Sequence, residues 1–313
     1  MSLQVKHLRK KYGEKVVLED LSFEMEKPGV YALLGTNGAG KTTSIRMILG
    51  MLAGDGGEVL WNGKPLDVME TNVGYLAEER GLYPKISLMD QLLYFASLKE
   101  VPKSLAKERI KYLSKRLEVD EYIYPKASGS RKKKEKPKTA DQLSKGNQQK
   151  IQLLVALLSD PDILILDEPL SGLDPVNADL FKSIIREEMD QGKYMIMSSH
   201  QMATIEEFCE DITILNKGKV VLQGNLNKIK KEYGRVKLFV KCDEDISDIL
   251  DEMEIHAEEK TAEGYYIKVK EEKEARALLS ELMRREIPVV HFELREPSLH
   301  EIFVEKVGGT NEE

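Results

Sequence analysis

The segment Gly35-Thr36-Asn37-Gly38-Ala39-Gly40-Lys41-Thr42 constrains this chain more than any other. It fits G-x-x-x-x-G-K-[ST], in which glycines let backbone N–H groups turn inward around phosphate oxygens. The lysine of that pattern reaches the β and γ phosphates, and the hydroxyl after it ligates Mg²⁺. The flanking residues give the context the pattern needs. Gly29–Leu34 reads as a short buried strand, and Thr43–Met51 reads as a helix whose N-terminus offers partial positive charge to the phosphates. Gly35, Thr36, Asn37, Gly38, Ala39, Gly40, Lys41, Thr42 and Thr43 are therefore the candidate nucleotide-binding residues, and the fold is expected to be α/β.

With 313 residues, two domains or one domain with an appendage are expected. A formal net charge of −7 argues against a generic nucleic-acid binder, so no nucleic-acid partner is expected. The two cysteines, Cys209 and Cys242, have no metal-binding or redox spacing and are expected to be reduced thiols. The first residues lack the apolar core of a signal peptide, and no apolar run reaches the roughly 18 residues that cross a bilayer. Any membrane-spanning part is expected in another polypeptide.

Residues 1–26 alternate as β-structure, with a turn at Tyr12-Gly13-Glu14. Glu58–Trp61 and Asn62-Gly63 read as a strand and a tight turn. Leu88 to Leu158 is helical, with apolar residues at helical spacing, such as Leu92, Phe95 and Ala96, or Ile110, Leu113 and Leu117. Strands rich in branched residues follow at Ile163–Leu166, Met195–Met197 and Ile212–Leu215, with a helix at Val176–Met189. That alternation implies a largely parallel sheet with helices. Lys126 to Lys138 carries seven positive charges and one negative. It reads as a solvated loop, or as a contact with anionic lipid headgroups or RNA, with residues 131–138 facing the lipid in the former contact. After Gly224 the order becomes helix (225–233), then strand (236–242), helix (246–253), strand (254–259), strand (265–269), helix (273–285) and strand (288–294). This is a β-α-β-β-α-β unit of ferredoxin-like type. Residues 243–264 hold ten acidic side chains and one lysine, and no nucleophile or metal cluster, so this part reads as a regulatory, dimerising or spacer domain.

Chemistry gathers at four further places. The apolar strand Ile163–Leu166 ends in Asp167 and Glu168, where the first acid can hold Mg²⁺ and the second is placed to polarise an attacking water. Leu143-Ser144-Lys145-Gly146-Asn147 precedes a helix, and Ser171-Gly172-Leu173-Asp174 follows the two acids. His200 ends the strand that holds Met195–Met197. With these residues the chain resembles the nucleotide-binding subunits of ATP-binding cassette (ABC) transporters, strongly over residues 1–224. Glu78-Glu79-Arg80-Gly81-Leu82-Tyr83-Pro84, with the closing segment Glu296–Phe303, looks like an exporter-type branch that carries a small C-terminal domain. The resemblance implies a P-loop NTPase cassette of ABC type over 1–224, with a mixed sheet, a helical subdomain at about 82–158 and a basic insertion at 126–138. A small α+β domain would follow over 225–313.

It also implies ATP and Mg²⁺ as ligands and an ATPase in which two cassettes sandwich two nucleotides. Glu168, His200 and Lys41 take catalytic roles, with His200 on the γ-phosphate. Thr42, Asp167 and Glu78 face the metal, Tyr12 stacks on adenine, and Ser144, Gly146 and Asp174 meet the nucleotide across the dimer. The partners implied are an integral-membrane permease docked on the helical part, and a second copy or a paralogue. The location implied is the cytoplasmic face of the cell membrane. Two departures stand out: Lys145 and Asn147 replace a glycine and the glutamine of the L-S-G-G-Q pattern, and Glu78 stands where the family has glutamine. A soluble ABC ATPase acting on ribosomes or DNA remains open, though one phosphate loop and no heptad run count against it. A cassette regulated by a ligand of its C-terminal domain also remains open.

Overall fold

The computed structural model describes residues 1–79, 81–124 and 137–308, and in it the chain divides into two compact units, one ending at Gln223 and one starting at Gly224. Of the basic segment 126–138, only Pro137 and Lys138 lie within the described residues.

The first unit begins with β1 (Leu3–Tyr12), β2 (Lys15–Met25), β3 (Gly29–Gly35), α1 (Lys41–Ile48), β4 (Gly56–Trp61), β5 (Lys64–Pro65) and β6 (Val73–Leu76). Among the described residues four α-helices follow, α2 (Leu88–Leu98), α3 (Lys103–Arg116), α4 (Asp120–Ile123) and α5 (Lys145–Leu157). The unit closes with β7 (Ile163–Asp167), α6 (Pro175–Asp190), β8 (Tyr194–Ser199), α7 (Met202–Ile205), β9 (Asp211–Asn216) and β10 (Lys219–Asn225). One sheet runs β2-β1-β4-β5 with antiparallel pairs, and the other runs β10-β9-β3-β8-β7-β6.

The inner strands of the second sheet pair in parallel. β7 and β8 are buried at every residue, which explains their unbroken runs of branched and apolar side chains. In β1 and β2 burial instead recurs on one face, through Leu3, Val5 and Leu8, then Leu18, Leu21 and Phe23, because the other face meets water. One core joins both sheets to α1: Ile45 and Ile48 share a cluster with Leu3, Leu21, Ile163 and Ile196. Packing therefore fixes the helix that follows the phosphate loop.

α1 starts at Lys41 and ends at Ile48, earlier at both ends than the sequence reading of 43–51. Gly40, at φ 112, forms the N-cap, and Gly50, at φ 67, closes the turn behind the helix. The helical stretch resolves into α2 to α5. Leu88, Leu92 and Ala96 line the buried stripe of α2, whose N-cap Ser87 accepts from the Asp90 N–H. Asn62-Gly63 makes the hairpin turn with φ 53 and 77.

The second unit holds α8 (Leu226–Tyr233), β11 (Lys237–Cys242), α9 (Ser247–Glu252), β12 (Ala257–Lys260), β13 (Tyr265–Lys268), α10 (Glu272–Arg284), β14 (Val289–Arg295) and α11 (Leu299–Gly308). Its sheet order is β12-β13-β11-β14, antiparallel throughout, the topology of a ferredoxin-like unit. Leu238, Val240 and Ile267 of the sheet pack with Ile249 and Leu250 of α9 and Leu278 and Leu282 of α10. β12 begins three residues later than the sequence reading of 254. Glu254 sits at φ 54 in the turn after α9, and the Ile255 N–H still donates to the Leu250 carbonyl. The acidic stretch is partly neutralised within itself. Lys260 Nζ, the Tyr265 hydroxyl and the Ser247 N–H all donate to Asp245, whose carboxyl they hold far below its usual range.

Candidate functional site

The phosphate loop spans the end of β3 and the start of α1. Its glycines have steric reasons. A Cβ on Gly35 would lie 2.3 Å from the Leu215 carbonyl oxygen of β9, and one on Gly40 would lie 2.9 Å from the Val17 carbonyl oxygen. The loop is tied from outside by the Gly218 N–H, which donates to the Ala39 carbonyl at 3.0 Å. α1 has no side-chain N-cap and no acid in its first turn. Its leading N–H groups and the positive end of its dipole are thus directed at the loop, an arrangement suited to an anion.

Lys41, only 6% exposed at its side chain, donates to the carbonyl oxygens of Gly35 (2.8 Å) and Thr36 (3.3 Å). Its Nζ also lies 3.1 Å from Glu168 Oε1, a charge contact whose angle falls outside hydrogen-bond geometry. Glu168 Oε2 lies 2.8 Å from His200 Nδ1. Glu168 sits at φ 50, a left-handed conformation unusual for a residue with a side chain. The hydroxyl of Ser198, on β8, steadies it by accepting from the Glu168 N–H at 2.9 Å. The same hydroxyl donates to Asp167 Oδ1 at 2.6 Å. Thr42 Oγ1 approaches that oxygen at 3.4 Å, whereas Asp167 Oδ2 is buried without a hydrogen bond. Burial pushes the Asp167 carboxyl up, against the Ser198 and Thr42 hydrogen bonds that lower it. A carboxylate in this state is suited to a cation. Among the described residues, no group of three or more His, Cys, Asp or Glu is arranged to hold a metal ion. The oxygen donors here, Thr42 and Asp167, instead suit a hard divalent ion that keeps water and phosphate ligands.

Lys41, Thr42 and Glu168 open onto a cleft of about 530 Å³, lined also by Asn37, Gly38, Gly40, Thr43 and Glu78, by Lys15 to Val17 of β2, and by Lys217. Glu78 follows β6 and is exposed in that cleft. Tyr75, two residues inside β6, has its phenol pushed up to about 12, first by burial and then by the Asp167 charge. Tyr12 ends β1 opposite Lys15, is 54% exposed, and does not itself line the cleft.

Ser144, Gly146 and Asp174 lie elsewhere. Ser144 is the N-cap of α5 and accepts from the Asn147 N–H, and Asp174 is the N-cap of α6 and accepts from the Asn177 N–H. The two helix starts are neighbours: a Cβ on Gly146 would meet Asn177 Nδ2 at 3.4 Å and Leu173 Cδ2 at 3.6 Å. Neither helix start lines the cleft of its own chain. Asn147, the residue in the glutamine position, donates through Nδ2 to the Tyr122 hydroxyl at 3.1 Å, and Gln149 donates to the Pro169 carbonyl at 2.6 Å.

Sequence reasoning missed Ser198, Lys15 to Val17 and the Lys217-Gly218 turn. The Asn-Lys-Gly-Lys string around the last of these signals a hairpin, but nothing local signals that it abuts the phosphate loop.

Comparisons with known proteins point to one family. A family described as "ABC transporter" matches residues 18–171, and one described as "ATP-binding protein DrrA1-3-like, C-terminal domain" matches 224–307. YhaQ of Bacillus subtilis (strain 168), described as an uncharacterized ABC transporter ATP-binding protein, is 39% identical over 311 residues, 99% of this chain and 100% of the relative. The linearmycin resistance ATP-binding protein LnrL of the same organism is 27% identical over 98% of this chain and 99% of its own length. A solved ATP-binding subunit of an ABC transporter superposes with a TM-score of 0.64 at 28% identity, covering 75% of this chain and 94% of that one. The phosphate loop, the acids ending β7 and full-length kinship therefore lead to one statement: the chain belongs to the ATP-binding, ATP-hydrolysing subunits of ABC transporters.

Proposed function

We propose that this subunit powers an exporter, in which two cassettes, identical or paralogous, close on two ATP molecules and drive a separate integral-membrane permease. The observation that carries this reading is the division of the site. Lys41, Thr42, Glu168 and Glu78 line one cleft, with Asp167 buried behind Thr42, while the α5 start with Ser144 and Gly146 and the α6 start with Asp174 do not line it. A second cassette supplying those helix starts would complete the phosphate environment. The exporter direction is supported by the resistance function in the name of LnrL.

Hydrolysis is in-line attack of water on the γ-phosphorus. Glu168 accepts the proton of that water, and His200, here hydrogen-bonded to its Oε2, is assigned to the γ-phosphate when nucleotide is bound. Lys41 moves from Glu168 and the loop carbonyls to the phosphate oxygens, where it and the N–H groups of Gly38 to Thr42 stabilise the charge of the transferring group. Thr42, Asp167 and Glu78 would hold Mg²⁺, which would neutralise charge on the β and γ oxygens. Tyr12 is assigned to the adenine ring, from the hairpin whose second strand lines the cleft.

Permease docking is assigned to the helical part, residues 82–158, beside the Glu78 segment. An apolar groove of about 290 Å³ lies there between Leu49, Met51 and Tyr75 on one side and Phe95, Leu98 and Val155 on the other. Met51 and Leu98 are 67% and 57% exposed. Among the described residues no helix is long and apolar enough to cross a membrane, which fits a peripheral subunit at the cytoplasmic face of the cell membrane. Anionic lipid is assigned to residues 131–138, and membrane association unchanged by a Gly-Ser replacement there would sink that assignment. Tagging the chain in its native cell and identifying what co-purifies from gently solubilised membranes tests the whole reading. A partner with several apolar spans is expected. Recovery from the cytosol with ribosomal or DNA-repair proteins would overturn it.

A further inference from the structure

Three lysines line the nucleotide cleft: Lys15, Lys41 and Lys217. Lys41 is engaged by Glu168 and by two loop carbonyls. Lys15 and Lys217 have no side-chain hydrogen bond or ion pair among the described residues. An unpaired surface lysine is ordinary, and its position has to decide whether it does anything. For Lys217 the position is tightly set.

Lys217 and Gly218 form the two-residue turn between β9 and β10, with φ 49 and 82, the left-handed pair of a tight hairpin. The Gly218 N–H donates to the Ala39 carbonyl of the phosphate loop at 3.0 Å, and its carbonyl accepts from the Glu19 N–H of β2 at 2.9 Å. A Cβ at Gly218 would lie 2.7 Å from the Val17 carbonyl oxygen, and the Gly218 Cα is 4.0 Å from where a Cβ on Gly40 would stand. The turn is thus wedged between β2 and the loop, and the backbone of Lys217 is fixed relative to the phosphate cradle. Lys219, on the far side of the turn, instead pairs with Glu19 at 3.3 Å.

We infer that Lys217, with Lys15 of β2 also lining the cleft, is a further nucleotide-binding residue that holds phosphate charge from the β9–β10 side. Its partner is the phosphate chain common to ATP and ADP. Because Lys41 begins on Glu168, these two are the cleft's uncommitted cations and meet the incoming nucleotide first. The inference rests on this cleft being the nucleotide site.

The test is ADP affinity of the full chain at low and high salt, with the ATP KM measured alongside, for wild type, K217Q, K217R and K41A. K217Q is expected to raise the ADP dissociation constant about three- to tenfold, the range of one charge contact from an exposed side chain to a charged group. That effect should shrink with added salt and should fall on KM more than on kcat. K217R is expected to stay within about twofold of wild type, because it keeps the charge. If K41A weakens binding but K217Q matches wild type at low salt, or if K217R loses as much as K217Q, the role of Lys217 is overturned. If K41A itself binds ADP as wild type does, the assignment of the cleft falls, and this inference with it.

Discussion

Ser198 offers the sharpest test of how the two acids are held. Its hydroxyl is fully buried, donates to Asp167 Oδ1 at 2.6 Å and accepts from the Glu168 N–H at 2.9 Å. Ser198→Ala leaves a buried carboxylate oxygen with the distant Thr42 hydroxyl at 3.4 Å, and the Glu168 N–H without its partner. A hydrogen bond to a charged group contributes about 1.5–3 kcal/mol and a neutral one about 0.5–1.5, so the variant should lose roughly 2–4 kcal/mol. For a unit of this size that lowers Tm by on the order of 5–15 °C.

The deficit also has a pH signature. Burial raises the Asp167 carboxyl and the Ser198 bond opposes that rise, so the variant carboxyl titrates higher still. A carboxyl raised in the folded state contributes stability that is present below its unfolded value and is lost as pH rises through its folded value. The variant's deficit should therefore grow with pH through that window and be largest above it. Thermal and denaturant unfolding of wild type, S198A, D167N and the double variant would read this, with a coupling of about 1 kcal/mol or more expected between the two sites. A Tm drop under about 2 °C, a deficit independent of pH, or no coupling would refute the reasoning.

Lys41→Ala should weaken ADP binding by at least about tenfold, since it removes the charge that reaches the phosphates; calorimetric titration giving an unchanged affinity would refute that role. Glu78→Gln should raise the Mg²⁺ concentration needed for half-maximal ATPase, because it removes a hard anionic ligand; an unchanged Mg²⁺ titration would remove Glu78 from the metal site. In the second unit, Arg295 and the N–H and hydroxyl of Ser298 all donate to Glu301, which caps the start of α11. Burial opposes them, yet the Glu301 carboxyl is held down at about 2. A depressed carboxyl contributes stability above its unfolded value that is lost as pH falls through the folded one. Glu301→Gln should thus destabilise that unit at pH 7 and lose its effect between about pH 4.5 and 2; equal effects at both ends would contradict this.

What could be read from the sequence was local. The phosphate loop is legible because its geometry needs particular residues side by side, and Ile163–Leu166 because a strand covered on both faces must be apolar throughout. The β-α-β-β-α-β order of the second unit was legible because each element carries its own period. Boundaries were less so: α1 begins at Lys41 because Gly40 adopts φ 112, a conformational choice that spacing does not reveal. Contacts between distant segments were not legible at all. Ser198 reaches Glu168 only because β7 and β8 are neighbours in register, with Asp167 opposite Ser198. The Gly218 bond to Ala39 likewise follows from β9 lying beside β3. The exposed setting of Tyr12, off the cleft lining, reflects where the β1–β2 turn stands, which sequence does not specify.

The proposed mechanism turns on Glu168 taking the proton of the attacking water in a site completed by a second cassette. The most direct measurement is on Glu168→Gln: ATP turnover, together with the oligomeric state at saturating ATP by light scattering. Turnover is expected to fall at least about a hundredfold below wild type, the scale of a lost general base, with ATP binding retained and a stable ATP-bound dimer formed. Turnover within about tenfold of wild type, or a variant that binds ATP and remains monomeric, would contradict it.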